Sequence, residues 1–254
     1  MLQIRAEQMA CLREVALRRF EGEMVRHCAE FSPRLFEVIG ADQMHTAVRR
    51  ALGRARTYEL SRRGPLRLYI ELMLLYGSDF DTDPQYRSVR KILGSERGQM
   101  AKAQKIYEHI MEYQETVDGP DGERFYESLE QLSHIARSPN YRPSDDPARL
   151  IGELTRIFPA KAEYVGEDGL SALIHRGGEE ADRFGFETPR SRAMIVAMMY
   201  ALGHGITSDP MYPWVSGTLR AERFHTPAGR AARLEKRALT WLHHVLAARK
   251  GKSS

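Results

Sequence analysis

The chain has 254 residues, 42% of them apolar, and a formal net charge of +4 at pH 7. That length suits one large domain or two small ones, and the apolar fraction is enough for a packed interior. Two cysteines, Cys11 and Cys28, are too few for the disulfide framework of a small secreted protein, and the first residues lack the apolar run of a signal peptide. We therefore expect a reduced, cytoplasmic protein.

The positive charge is concentrated near the C-terminus. Residues 217–254 hold nine Lys and Arg against two Asp and Glu, whereas the rest of the chain is slightly acidic. A basic segment favours either nucleic-acid binding or a solvated helix face. These arginines alternate with Ala, Leu and Trp at a helical period, and no stacking-aromatic or zinc-finger pattern accompanies them. We interpret the segment as a solvated helix and expect neither a nucleic-acid nor a membrane partner.

Helical signals follow one another along the whole chain. In the first part, helices are predicted over 3–30, 42–58 and 66–76, from Pro84 onward, and over 96–117 and 123–136. In the second part, they are predicted from Pro147 to about 158, over 168–184 and 194–202, from Pro210 onward, and over 227–248. No stretch shows the sustained alternation of a strand. The sequence therefore predicts an all-α protein of about ten to twelve helices packed into one globular unit.

The helix predicted over 96–117 has a polar face and one apolar stripe. The members of the stripe are spaced as one side of a helix requires. They are Met100, Ala103, Ile106, Tyr107, Ile110 and Tyr113.

Two stretches of the chain match each other. Residues 40–93 align without a gap on 166–219, at a constant offset of 126 positions, and we interpret the match as an internal duplication. The stretch 138–147 is rich in Pro, Ser and Asp and is the expected linker, so the chain divides into a first helical half, 1–137, and its repeat, 148–254. The identical pairs include Met73, Gly77, Asp83, Pro84, Tyr86, Val89 and Leu93 with Met199, Gly203, Asp209, Pro210, Tyr212, Val215 and Leu219.

Each copy has the same plan: an apolar helix, a glycine, a short polar loop, and an Asp-Pro that begins another helix. The apolar helices, Leu66–Tyr76 and Met194–Leu202, are far shorter than the roughly 20 residues that span a bilayer, and too apolar for a surface, so both are predicted to be central core helices. A glycine suits the left-handed conformation that ends many helices, and Asp-Pro suits an N-cap followed by the first helical residue. The predicted structural caps are Gly77, Asp83, Pro84, Gly203, Asp209 and Pro210.

One acidic motif has the spacing that opens a calcium-binding loop. Asp79, Asp81 and Asp83 stand at positions i, i+2 and i+4, but the sixth and twelfth positions hold Pro84 and Arg90 where such a loop needs glycine and glutamate. The motif is therefore interpreted as an N-cap with additional acidic residues, and no metal site is predicted.

The nine histidines are scattered, and none falls in HExxH or in a Cys/His zinc spacing. No nucleophile, base and orienting group stand together in a recognisable motif. The sequence therefore predicts no catalytic residue and no cofactor, and favours a protein that is not an enzyme.

The second copy differs from the first where it gains a Trp and a Pro. The first copy has Gln85, Arg87 and Ser88 at three of these positions. Large aromatic side chains often anchor protein interfaces, and a packing role alone would be expected to keep an aromatic residue in both copies. We therefore predict a protein contact here, formed by His204, Met211, Tyr212, Pro213 and Trp214.

Three stretches resemble a known family: MLQIRAEQM at the start, RGPLRLYIELMLLYGSDFDTDP at 63–84, and DPMYPW at 209–214. They are similar to uncharacterised helical bacterial proteins encoded beside type VI secretion spike and effector genes. In the first copy, Arg87 and Ser88 depart from the Pro-Trp that this family often shows after Asp-Pro. The shared motifs are structural, so the resemblance transfers no functional residue.

The resemblance implies an accessory role in the secretion system. The first hypothesis is an adaptor or chaperone that binds an effector, a spike-tip protein or another adaptor for loading. An immunity protein that binds and neutralises a toxin is a variant of it, and a secreted hydrolase effector is the alternative. The lack of a catalytic motif favours binding. The partner, the stoichiometry and the binding surface are left open by the sequence.

Overall fold

The computed structural model describes residues 6–221 and 226–250. All regular structure in these residues is helical, in agreement with the all-α prediction, and eleven α-helices form one unit. Single 3-10 turns at Phe80–Thr82, Pro84–Tyr86 and Pro120–Gly122 and one π-helical turn at Gln114–Asp118 join some of them. The helices are α1 Ala6–Phe31, α2 Pro33–Arg56, α3 Arg63–Tyr76, α4 Arg87–Leu93, α5 Gln99–Tyr113, α6 Glu123–Arg137, α7 Pro147–Ile157, α8 Pro159–Arg183, α9 Pro189–Leu202, α10 Pro213–Leu219 and α11 Pro227–Lys250.

Proline and glycine fix the start and the bend of two long helices. Pro33 and Pro159 occupy the first turn of α2 and α8, where a missing N–H costs nothing. Gly40 and Gly166 bend the same helices, with φ of 78° and 71°. Because Pro33 opens a helical segment ahead of the bend, α2 begins well before the predicted start at Asp42.

The α-helices after the two Asp-Pro pairs begin three residues later than predicted. Pro84 opens only a 3-10 turn, and α4 and α10 begin at Arg87 and Pro213. The residue before each helix, Tyr86 or Tyr212, has non-helical φ and ψ of −119° and 46°, or −125° and 58°. Both tyrosines turn toward the core, and this interrupts the helix that Asp-Pro would otherwise start.

The two apolar helices lie in the core, as predicted. Both have 14 residues, and α9 begins and ends 126 positions after α3, at 189 and 202 against 63 and 76. Within the described residues, no helix combines the length and the apolar character that crossing a membrane requires. The most buried members are Tyr69, Ile70, Leu72 and Met73 in α3, and Ile195, Val196, Met199 and Tyr200 in α9.

The buried apolar side chains form two clusters. The first draws on the chain up to Val117, and the second begins at Leu129. Met211 is an exception, since it lies in the second copy and packs in the first cluster. Helix α6 packs on α7 and α11 in the second cluster, although it precedes the stretch 138–147. The division of the core therefore falls earlier in the chain than the linker predicted from composition.

Candidate protein-binding site

The C-terminal ends of α3 and α9 meet at two glycines. Gly77 and Gly203 have φ of 94° and 101°, which side-chain-bearing residues rarely adopt. A Cβ on Gly77 would lie 2.8 Å from the carbonyl O of Leu202, and one on Gly203 would lie 2.6 Å from that of Tyr76. Glycine is required at both positions by the backbone conformation and by the close approach of the two helix ends.

Asp83 and Asp209 each cap the turn that follows them. Asp83 Oδ1 accepts a hydrogen bond from the N–H of Gln85 at 2.9 Å, and Asp209 Oδ1 accepts one from the N–H of Met211 at 2.8 Å. The capping role predicted for these aspartates is therefore present, although it is exercised on a tight turn and not on an α-helix.

The same two aspartates also bind the opposite copy. Asp209 accepts hydrogen bonds from the N–H of Ser78 at 2.8 Å and from its hydroxyl at 2.6 Å, and Asp83 Oδ2 accepts one from the N–H of His204 at 2.8 Å. Both aspartates are 1% exposed. Burial raises the pKa of Asp209, and the hydrogen bonds from Ser78 and Met211 oppose this rise. These aspartates join the copies, a role that their local sequence does not reveal.

Two arginines add further contacts between the two aligned stretches. We call the region where the ends of α3 and α9 meet the junction. Arg50 Nη1 donates to the carbonyl O of Ser208 at 3.3 Å, and Arg176 Nη1 donates to that of Thr82 at 3.2 Å. The two donors, Arg50 and Arg176, lie 126 positions apart, and so do the two acceptors, Thr82 and Ser208. The two aligned stretches, 40–93 and 166–219, therefore hold each other by equivalent contacts.

The acidic motif around residue 80 is neutralised by arginines of α2. Asp79 lies 2.7 Å from Arg50 Nη2 and 2.9 Å from Arg54 Nη1, and Asp81 lies 2.5 Å from Arg54 Nη2. The described residues contain no group of three or more His, Cys, Asp or Glu placed to hold a metal ion. These carboxylates balance charge inside the fold.

The five residues predicted as a protein contact do not form one surface. Met211 is 2% exposed in the first core cluster, and Tyr212 packs against both clusters. His204 lies at the junction with its side chain 14% exposed. Pro213 is exposed, and Trp214 packs partly against the second cluster. The predicted site is thus mainly a packing site between the copies.

Trp214 lines an apolar cavity inside the second half. The cavity is about 110 Å³ and lies between α6, α9 and α11, where Met198 and Trp241 also line it. The guanidinium of Arg237 lies 6.0 Å from the centre of the Trp214 ring. Because the cavity is lined by helices of the chain itself, Trp214 contributes to packing within the chain.

Lys161 is a buried lysine that no motif in the sequence marks. It is 6% exposed in the first turn of α8, and its Nζ donates to the carbonyl O of Tyr200 at 2.5 Å, near the end of α9. Burial lowers the pKa of Lys161 to about 8, while the charges of Asp83 and Asp118 oppose this decrease. The sequence signal that could have found it lies just outside the matching stretches, where the same offset of 126 positions pairs Lys161 with the apolar Leu35.

Asp118 ends the π-helical turn and lines a cavity of about 250 Å³ together with Ser128, Gln131 and Lys161. Burial raises its pKa to about 6, and the charge of Lys161 opposes this rise. Shifted pKa values of this kind also occur at acid–base sites of enzymes. Here, however, the ammonium of Lys161 already satisfies a carbonyl at the end of α9, as a C-terminal helix cap does.

The outer sides of α3 and α5 expose large apolar side chains, which we call the α3/α5 face. Its members are Leu75, 44% exposed, Met100, 52%, Tyr107, 53%, and Met111, 47%. An open groove of about 350 Å³ runs between the two helices and includes Leu68. Several large apolar side chains are thus accessible on one side of the molecule.

The apolar stripe predicted on α5 has two different environments. Ile106, Ile110 and Tyr113 are between 3% and 6% exposed and belong to the first core cluster. Met100 and Tyr107 lie on the same stripe in the sequence but border the open groove. The apolar stripe of α5 is wider than the part of it that the core buries. Its remaining apolar side chains form part of the α3/α5 face.

No protein-family model, curated protein or solved structure matches this chain. The residues and contacts of the chain itself therefore have to indicate its function. Among these, the α3/α5 face is a feature that the packing within the described residues leaves unexplained.

Proposed function

We propose that this chain is a non-enzymatic accessory protein of a type VI secretion system that binds another protein in the cytoplasm. The bound protein is an effector, a spike-tip protein or another adaptor, held before loading. The α3/α5 face is the observation that carries the proposal. Contiguous exposed apolar side chains on a soluble protein commonly mark an interaction surface. The predicted contact at 204–214 is replaced in this proposal, because much of it packs inside the fold.

The non-enzymatic character has its own support. Lys161 and Asp118 are the buried groups that an acid–base mechanism would use. The ammonium of Lys161 is committed to the carbonyl O of Tyr200, and the ring of Tyr200 lies 4.7 Å from it. A lysine held in this way stabilises the end of α9 and is poorly placed to act on a substrate.

We further propose that 40–93 and 166–219 arose by duplication of one unit. The support is the ungapped match of the sequences, the equal lengths and spacing of α3 with α9 and of α4 with α10, and the equivalent contacts exchanged at the junction. A duplicated unit explains why each aspartate caps its own turn and binds the opposite copy.

Co-expression with each protein encoded by a neighbouring gene, followed by a pull-down, tests the binding function. We expect one neighbour to be captured by the wild type. Tyr107→Asp and Met111→Asp place a charge on the α3/α5 face and should abolish capture, whereas Val38→Asp, at a side chain 77% exposed elsewhere, should not. Failure to capture any neighbour would contradict the function, and capture by all three variants would contradict the choice of face.

A further inference from the structure

The α3/α5 face has a counterpart in the second half that is covered. Helix α5 packs on α3 and α4, and α11 packs on α9 and α10, so the two helices play the same part in their halves. In the second half this position is taken by α6, a helix from the end of the first half, which packs on α11 and lines the cavity between α9 and α11. A helix of the chain itself therefore occupies the position that is open in the first half.

The two grooves share four equivalent lining positions on their central helices. Both are lined along one side of α3 or α9 by residues 126 positions apart. These are Gly64, Arg67, Leu68 and Glu71 in the open groove, and Arg190, Ala193, Met194 and Ala197 under α6. The open groove is thus the equivalent of a site that already accepts a helix.

Helix α6 shows what kind of segment such a site accepts. It contributes Leu129, Leu132, Ile135 and Ala136 to the covered cavity. Spacings of three and four residues place these side chains on one face of a helix. The occupant of the covered site is therefore a single amphipathic helix.

Charge distinguishes the open site from the covered one. In the covered site, α11 carries six Lys and Arg against one Glu, and α6 carries Glu123, Glu127 and Glu130 against Arg124 and Arg137. On α5, Glu108 and Glu112 are exposed along the edge of the apolar stripe away from α3, and Glu115 is exposed in the π-helical turn that follows. Within the residues that the structure describes, none of these three glutamates forms an ion pair. The open site is therefore suited to a basic occupant.

We infer that the α3/α5 face binds one amphipathic helix of a partner protein, with apolar residues at the spacing of α6 and with Lys or Arg along one edge. This inference rests on the proposed function and names the partner's chemistry. The apolar residues fill the groove between Leu68 and Tyr107, and the basic edge lies against Glu108 and Glu112.

Two synthetic peptides test the inference directly. One has the 15-residue sequence of α6, and the other carries Lys in place of Glu123, Glu127 and Glu130. Fluorescence anisotropy against the whole protein should give a Kd on the order of 10 µM for the basic peptide and at least about tenfold weaker binding for the acidic one. Equal binding of the two peptides, or binding of neither, would overturn the inference.

Protein variants locate the peptide and check the charge. Tyr107→Asp should abolish binding of the basic peptide, while Val38→Asp should leave it unchanged. The double variant Glu108→Lys with Glu112→Lys should reverse the preference between the peptides. Binding that survives Tyr107→Asp would place the peptide elsewhere, for example in exchange with α6, and would contradict the inference.

The outcomes separate this inference from the proposed function. A captured neighbour together with failed peptides would overturn the helix inference and leave the binding function standing. Binding of the basic peptide without capture of any neighbour would overturn the proposed function and leave the helix inference standing. Light scattering on the protein alone gives one further test. A dimer that Tyr107→Asp disrupts would mean that a second copy of this chain occupies the α3/α5 face. This result would contradict the inference that a helix of a partner protein binds there.

Discussion

Gly77 and Gly203 lie against each other, each facing the last carbonyl group of the other's helix. Their mutual approach brings the ends of α3 and α9 together. Asp209 lies beside the same point, because a Cβ on Gly77 would meet its Oδ2 at 3.6 Å.

Substitution at this contact should be costly. Gly203→Ala places a Cβ 2.6 Å from the carbonyl O of Tyr76 on a backbone with positive φ, and we expect the free energy of unfolding to fall by at least about 2 kcal/mol. Gly217→Ala is the control, since its Cβ would meet nothing within 4 Å inside α10, and it should be neutral or stabilising by up to about 1 kcal/mol. Urea denaturation of both variants checks this, and similar effects at the two sites would refute it.

Asp209 should contribute more than an ordinary N-cap. Asp209→Ala removes the acceptor of three hydrogen bonds from buried groups of Ser78 and Met211, so we expect a loss of at least about 3 kcal/mol. Asp146 caps α7 at an exposed position by accepting from the N–H of Ala148, and Asp146→Ala should cost only about 1 kcal/mol. Equal losses, measured by thermal and urea denaturation, would show that the contact between the copies adds nothing.

Asp118 should make stability depend on pH. Its pKa is raised from 3.8 to about 6, so between these values the folded state binds more protons than the unfolded state, and stability falls as pH rises through this window. Asp118→Asn removes the buried charge and should raise the free energy of unfolding at pH 7.5 by about 1 kcal/mol or more, with little change at pH 4. A variant that is equally stabilised at both pH values would contradict this account.

Substitutions of Trp214 and of Tyr107 should have opposite effects on stability and on binding. Trp214→Ala opens a larger cavity beside α11 and should lower the free energy of unfolding by about 3 kcal/mol, while the folded protein keeps its affinity for a captured partner. Tyr107→Asp should leave stability nearly unchanged and abolish binding. Loss of affinity by about thirtyfold in a folded Trp214→Ala protein would instead return Trp214 to the interface.

Local patterns predicted the features that are decided locally. The apolar helices, their terminal glycines and the capping aspartates could be derived from residue types and spacing, because each depends on neighbours within a few positions. The starts of α4 and α10 could not, since Tyr86 and Tyr212 leave the helical conformation to reach the core.

Long-range contacts account for what the sequence did not predict. The bonds from Ser78 to Asp209, the place of Met211 in the first cluster and the burial of Lys161 all depend on how the halves pack. The same holds for the α3/α5 face, because helical spacing alone assigns Met100 and Tyr107 to the same stripe as Ile106. Only the extent of the core shows which part of that stripe is left uncovered.

Helix α6 packs in the second cluster and Met211 packs in the first, and this exchange has a practical consequence. A chain cut near Asn140 would give an N-terminal fragment that ends in α6, which packs in the core of the C-terminal fragment. The C-terminal fragment would hold Met211, which packs in the core of the N-terminal fragment. Each fragment would lack a part that only the other supplies, so we expect the pieces to refold together in a one-to-one ratio. Such interlocking would make the protein a natural starting point for a split reporter.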